Sequence, residues 1–143
     1  MKDESEIIDL IKRYERMVES GDSHYFDVEE FEMMIEHYLG FSAINQAQKV
    51  LQYASTLFPE SLTLQLREAQ ILASVGKHLK AISRLKTLLA FEPLNEEIHL
   101  TLASIYSKMT EHHLSIIHFN KALLTVDTEL KPEIIQDIAL EYE

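Results

Sequence analysis

Two prolines, Pro59 and Pro93, stand 34 residues apart in this chain, and a period of roughly 20–50 residues marks a chain assembled from stacked repeats. Laid out in windows that begin at Val28, Leu62 and Glu96, the sequence falls into columns. Ala47, Ala81 and Ser115 share one, and Leu51, Leu85 and Phe119 share another four residues on. Ala54, Leu88 and Ala122 form a third; Ile35, Ala69 and Ala103 a fourth, followed three residues later by Tyr38, Leu72 and Tyr106. Apolar positions recur at three- and four-residue intervals in two blocks per window, which is the helical period written twice.

The breaks between blocks agree. Gly76 sits where a tight turn needs a residue tolerant of left-handed backbone, and Gly40 with Ser42 lies at the matching place one window earlier. Asp27 with Glu30 spells a capping box, and Asn95 before Glu96 and Glu97 offers an N-cap with favourable first-turn charge. The spacing predicts helices over 28–39, 43–57, 61–75, 78–91, 95–109 and 112–126. With only 3 Gly and 3 Pro the chain has little turn chemistry for a multi-stranded sheet, so the fold class is all-α.

Flanking segments extend the pattern. Ile7, Ile8, Leu10, Ile11, Tyr14 and Val18 form an apolar stripe on a helix over about 4–20, and a Gly21-Asp22-Ser23 break follows. Residues 1–27 therefore read as a capping helix and linker that closes one end of repeats 28–61, 62–95 and 96–129. In 130–143, Pro132, Ile135, Ile138, Ala139 and Tyr142 fall at the spacing of one more first helix, a fourth repeat without its second half. Ile135, Ile138 and Tyr142 would want a partner helix, so the segment reads as cut from a longer repeat protein.

The windows resemble the tetratricopeptide repeat, a 34-residue helix-turn-helix carrying W-x2-L-G-x2-Y, then A-x3-F, then P. The third supplies Leu102-Ala103-x2-Tyr106 and Phe119-x2-Ala122. The first supplies Phe31-x2-Met34-Ile35-x2-Tyr38, Ala47-x3-Leu51-x2-Ala54 and Pro59; the second, Ala69-x2-Leu72, Gly76, Ala81-x3-Leu85 and Pro93. Gln65 and Glu68 occupy apolar positions in the second window, Ile35 replaces a small residue, and Asp127 replaces the last proline. The resemblance implies an α-solenoid of antiparallel helix pairs stacked in a right-handed superhelix.

Composition bounds the function. Asp+Glu number 24 against 13 Lys+Arg, a net charge of −11, which opposes the basic footprint that nucleic acid or an anionic membrane requires. Zero Cys removes thiolate metal sites and cysteine nucleophiles, and the N-terminus MKDESEIIDL lacks signal-peptide character, so a cytoplasmic protein is the expectation. His112, His113 and His118 cluster, but five- and six-residue spacings do not put two ligands on one helical face. With no HExxH, G-x-S-x-G or Gly-rich phosphate loop, neither metal, cofactor nor catalysis is expected.

The resemblance places function on the first helix of each pair, where family members hold a peptide or a partner helix in a concave groove. The corresponding positions here are Glu29, Glu32, Met33 and Glu36; Thr63, Leu66, Arg67 and Gln70; and Glu97, Leu100, Thr101 and Ser104, with Glu133, Gln136, Asp137 and Leu140 in the partial fourth repeat. Members that clamp a terminal carboxylate use basic groove residues, and Glu32 and Glu36 repel one. Residues 1–36 carry −8, 37–126 +2 and 127–143 −5. The expected partner is thus a protein segment with apolar anchors near Leu66 and Leu100 and basic residues toward Glu32 and Glu36. The alternative is homodimerisation through the cap or the open C-terminal end.

Overall fold

The computed structural model describes residues 3–143, and no strand occurs among them. Eight α-helices follow one another: α1 Glu4–Ser20, α2 Val28–Gly40, α3 Ile44–Leu57, α4 Leu62–Ser74, α5 His78–Leu89, α6 Glu96–Lys108, α7 His112–Leu123 and, after a 3-10 turn at Thr128–Leu130, α8 Lys131–Glu141. The capping box closes in both directions: the Glu30 amide donates to Asp27 Oδ1 at 2.8 Å and the Asp27 amide to Glu30 Oε1 at 3.1 Å. Asn95 caps α6 by accepting from the Ile98 amide at 3.1 Å.

The 34-residue rhythm is written most plainly in the turns. Ser42, Gly76 and Thr110, one period apart, adopt left-handed φ of 57°, 85° and 59°. At each turn the next amide reaches back across it, Ala43 to the Tyr38 carbonyl (2.8 Å), Lys77 to Leu72 (2.9 Å) and Glu111 to Tyr106 (2.9 Å). These six-to-one closures satisfy a carbonyl that the helix end would leave orphaned. Gly40 has no positive φ and closes α2 as its last residue; Ser42 carries the left-handed step instead.

Two compact units emerge, one reaching to Ile71 and the other starting at Leu72, with the division inside α4. In the first, α1 packs on α2 and α2 on α3. Leu10, Ile11, Tyr14 and Met17 meet Phe31, Met34, Ile35, Ala47, Val50, Leu51 and Ala54 in one core. Phe26, fully buried in the linker, joins them, with ring centroids 6.2 Å from Tyr14 and 5.5 Å from Phe31. Val18, expected in the stripe, is 63% exposed, and Met17 closes the seam in its place. Val18 lies in the last turn of α1, and the Met17 sulfur accepts from the His24 amide and the Tyr53 hydroxyl.

The second unit packs α5 on α6, α6 on α7 and α7 on α8. Ala81, Leu85, Leu88, Ala103 and Ala122 are buried, small residues admitting close helix approach and large ones filling the adjoining space. Ser115 stands in an alanine column because its hydroxyl donates to the Ala103 carbonyl at 2.8 Å across the α6–α7 hairpin, so burying it leaves no polar group unsatisfied. On α8 the buried residue is Ile134, with Ile138 half-buried against Ala103, Phe119 and Val126. Ile135 and, just past the end of α8, Tyr142, which the spacing marks as wanting a partner helix, are 57% and 75% exposed.

Candidate functional site

In the first unit, the candidate positions lie on α2 and on the part of α4 up to Ile71. Glu29 and Glu36 are exposed, and Glu32, Met33, Thr63 and Gln70 half-buried. Two expectations are corrected here. Leu66 is buried, so it is not an open apolar anchor. Arg67 is buried too, and one guanidinium nitrogen, Nη2, reaches Glu32 Oε1 at 2.5 Å and Glu36 Oε1 at 2.8 Å, while Nη1 donates to Gln70 Oε1 at 2.6 Å. The negative charge that the sequence offers to a basic partner is therefore already held by a cation of the same unit. A planar fork of donors suits two carboxylates far better than a lysine point charge would. Elsewhere in this unit a cleft of about 570 Å³, which the sequence did not single out, is lined by Arg13 and Arg16 against Glu19 and Asp22, charges that cancel.

The second unit places its candidates differently. Glu97, Leu100 and Thr101 are half-buried and Ser104 exposed along α6. Leu100 and Ser104 line an open cleft of about 610 Å³ between α6 and α8. Phe119, Leu130, Ile134 and Leu140 complete its apolar surface. Lys108 and His112 stand along it from one side and Glu133, Asp137 and Glu141 from α8. Glu133, Asp137 and Leu140 were read from sequence as the fourth repeat's share of the groove, and the structure brings them against Leu100 and Ser104; Gln136, on the same helix, is exposed and lies outside the cleft lining.

One carboxylate of this wall is fastened. Glu141 accepts from the Ser107 hydroxyl and lies 2.6 Å from His112 Nδ1. Burial alone would raise its pKa, but the hydrogen bonds from Ser107 and His112 outweigh that effect and hold the carboxyl below its ordinary range. Near a helix C-terminus an acid is unfavourable against the helix dipole, and these two partners offset that cost. The Ser107, His112 and Glu141 groups touch in the wrong order for nucleophile activation: the carboxylate stands between the other two, so His112 is not poised to take the Ser107 proton.

Sequence spacing grouped His118 with His112 and His113, whereas the structure pairs it with His99. The two Nδ1 atoms are 3.0 Å apart, and His99 Nε2 lies 2.8 Å from the Pro93 carbonyl. That carbonyl can only accept, so His99 carries its proton on Nε2, leaving Nδ1 to accept from His118. Burial, with the neighbouring charges of His99, Lys121 and Lys86, pushes His118 down to about 4. His118 also stacks on Tyr106, with centroids 5.6 Å apart. A signal was available: His99 occupies the column of Phe31, which is fully buried, and of Gln65, which is half-buried. Among the described residues no group of three or more His, Asp or Glu side chains is arranged to hold a metal ion, and no helix is long and apolar enough to cross a membrane.

No protein-family model matches the chain, and no curated protein does. Solved structures do. The structure titled MamA AMB-1 matches with a TM-score of 0.63 at 19% identity, over 95% of this chain and 82% of that one. MamA MSR-1 matches with a TM-score of 0.58 at 17% identity, over 96% and 85%. This likeness, with the repeating turn geometry, supports a tetratricopeptide-like helical repeat fold.

Proposed function

We propose that this chain is a non-enzymatic protein-interaction module, an adaptor or scaffold that takes a peptide or helix of a partner along the faces of its first helices. The observation that carries this reading is the cleft between α6 and α8, which is open, of a size to admit side chains, and mixed in character, with apolar walls and a few polar groups that would fix orientation. Five of its lining residues, Leu100, Ser104, Glu133, Asp137 and Leu140, belong to the face on which the repeat pattern places function. The corresponding face of the first unit is closed locally by Arg67, so contact there runs over Glu29 and Met33 rather than into a pocket.

Peptides selected from a displayed library on the immobilised chain test the proposal, with titration calorimetry against wild type and Leu100→Asp. Binding that weakens at least tenfold in Leu100→Asp supports it; peptides that bind both proteins equally refute the cleft as the site.

A second reading is favoured by one observation, the exposed Ile135 on α8 and Tyr142 just beyond its end. Pairing of two chains through this face would cover them. Light scattering across concentration separates the two: a monomer at about 100 μM counts against dimerisation as the main role, and a dimer that Ile135→Asp dissociates supports it.

A further inference from the structure

We infer that the α6–α8 cleft selects a basic side chain with an aliphatic stem, an arginine or lysine presented by the partner segment; this rests on the interaction reading and gives that site its chemistry. The carboxylates of Glu133, Asp137 and Glu141 follow one another at four-residue spacing on α8, so they form a row along one side of the helix, and all three line the cleft. Like charges so placed repel one another, and a cation between them relieves the repulsion.

The three are not equivalent. Glu141 is tied to Ser107 and His112. No hydrogen bond or ion pair with another described residue engages Glu133 or Asp137, and Asp137 is half-buried. The vacant negative charge therefore sits at the Glu133–Asp137 end of the row, in a cleft that Leu100 and Phe119 also line. Three carboxylates against Lys108 leave an excess of acidic over basic side chains in the lining, which disfavours a phosphate, a nucleotide or an acidic peptide. A neutral apolar group would find the walls but leave the carboxylates unanswered. An arginine or lysine side chain fits both features, its methylenes on Leu100, Ile134 and Leu140 and its charged head at Glu133 and Asp137. The first unit demonstrates the same solution within the chain, where Arg67 lies buried with its head between Glu32 and Glu36.

The probe is n-butylguanidinium, with n-butylurea as its uncharged counterpart of the same shape, each titrated into the nitrogen-15-labelled chain and followed by amide chemical shifts. We expect n-butylguanidinium to shift Ser104, Asp137 and Leu140 saturably and to bind about fivefold more weakly to Glu133→Gln/Asp137→Asn, the change expected for losing partly exposed ion pairs. Raising salt from about 50 to 500 mM should weaken it as well. The isosteric double variant keeps the shape of α8, and an unchanged amide spectrum verifies its fold. If n-butylurea binds the same residues as tightly, or the double variant binds n-butylguanidinium undiminished, charge selection is overturned while the cleft stands as a binding site. If neither probe shifts the cleft residues and library peptides are insensitive to Leu100→Asp, both readings fall.

Discussion

Replacing the residue that carries each left-handed turn tests whether the 34-residue register is structural. Gly76 adopts φ of 85°, and a Cβ added there meets nothing within 4 Å, so Gly76→Ala incurs only the backbone penalty. That penalty is about 1–2 kcal/mol, reduced by about 0.4–1 kcal/mol because alanine restricts the unfolded chain, for a net loss of roughly 0.5–1.5 kcal/mol. Thr110 occupies the equivalent step at φ of 59° with a β-branched side chain that disfavours it. Its hydroxyl makes only an exposed bond to its neighbour Met109. The arithmetic therefore reverses, and Thr110→Gly should gain roughly 0.5–1 kcal/mol. For a chain of this length 1 kcal/mol is about 3–5 °C. Thermal melts followed by circular dichroism should show Gly76→Ala falling by about 2–6 °C and Thr110→Gly rising by about 2–4 °C. A neutral Gly76→Ala together with a lowered midpoint for Thr110→Gly would refute the equivalence of the two turns.

Other expectations follow from particular contacts. Ala81 is fully buried in a seam, so Ala81→Leu should overpack it by about 1–3 kcal/mol and lower the melting midpoint by several degrees. Arg67→Met should destabilise the chain by about 1–2 kcal/mol in urea titrations, less than for a fully buried ion pair because Glu32 and Glu36 retain 25% and 55% side-chain exposure. An unchanged urea midpoint would mean that solvent already satisfies both carboxylates. His118 is held neutral, with a folded value of about 4 below the unfolded 6.5, so the native state binds fewer protons in that window. Its contribution is present above pH 6.5 and lost as pH falls toward 4. Melting temperatures between pH 6.5 and 5 should fall in wild type and fall less in His118→Gln; parallel slopes would remove His118 from the titration.

Much of this fold is legible in residue spacing because a helix converts sequence interval into angle. Predicted and observed helix ends differ by at most three residues, and the columns headed by Ala47, Leu51, Ala54 and Ile35 are buried throughout. Angle alone does not say what lies opposite. Val18 and Ile135 fall on apolar stripes, yet both stay exposed, Val18 in the final turn of α1 and Ile135 beside the buried Ile134 on α8. For the candidate site, position within the repeat singled out Leu100, Ser104, Glu133 and Asp137, and all four line one cleft, whose use by a partner is the proposal made above. It could not show that Arg67 spends its charge on Glu32 and Glu36, because those residues are 35 and 31 positions away and only the packing of α2 against α4 brings them together. The His99–His118 contact was hidden for the same reason, since its partners lie on different helices.

A photo-crosslinking residue at Ser104, compared with the same residue at the exposed Lys80 on α5, tests the interaction account most directly. In extract of the source cell, the account predicts a discrete adduct from position 104 that n-butylguanidinium competes away and that Leu100→Asp abolishes. Equal adducts from both positions would contradict it, as would an adduct at position 104 with twice the 16.6 kDa chain mass, which would assign the cleft to a second copy.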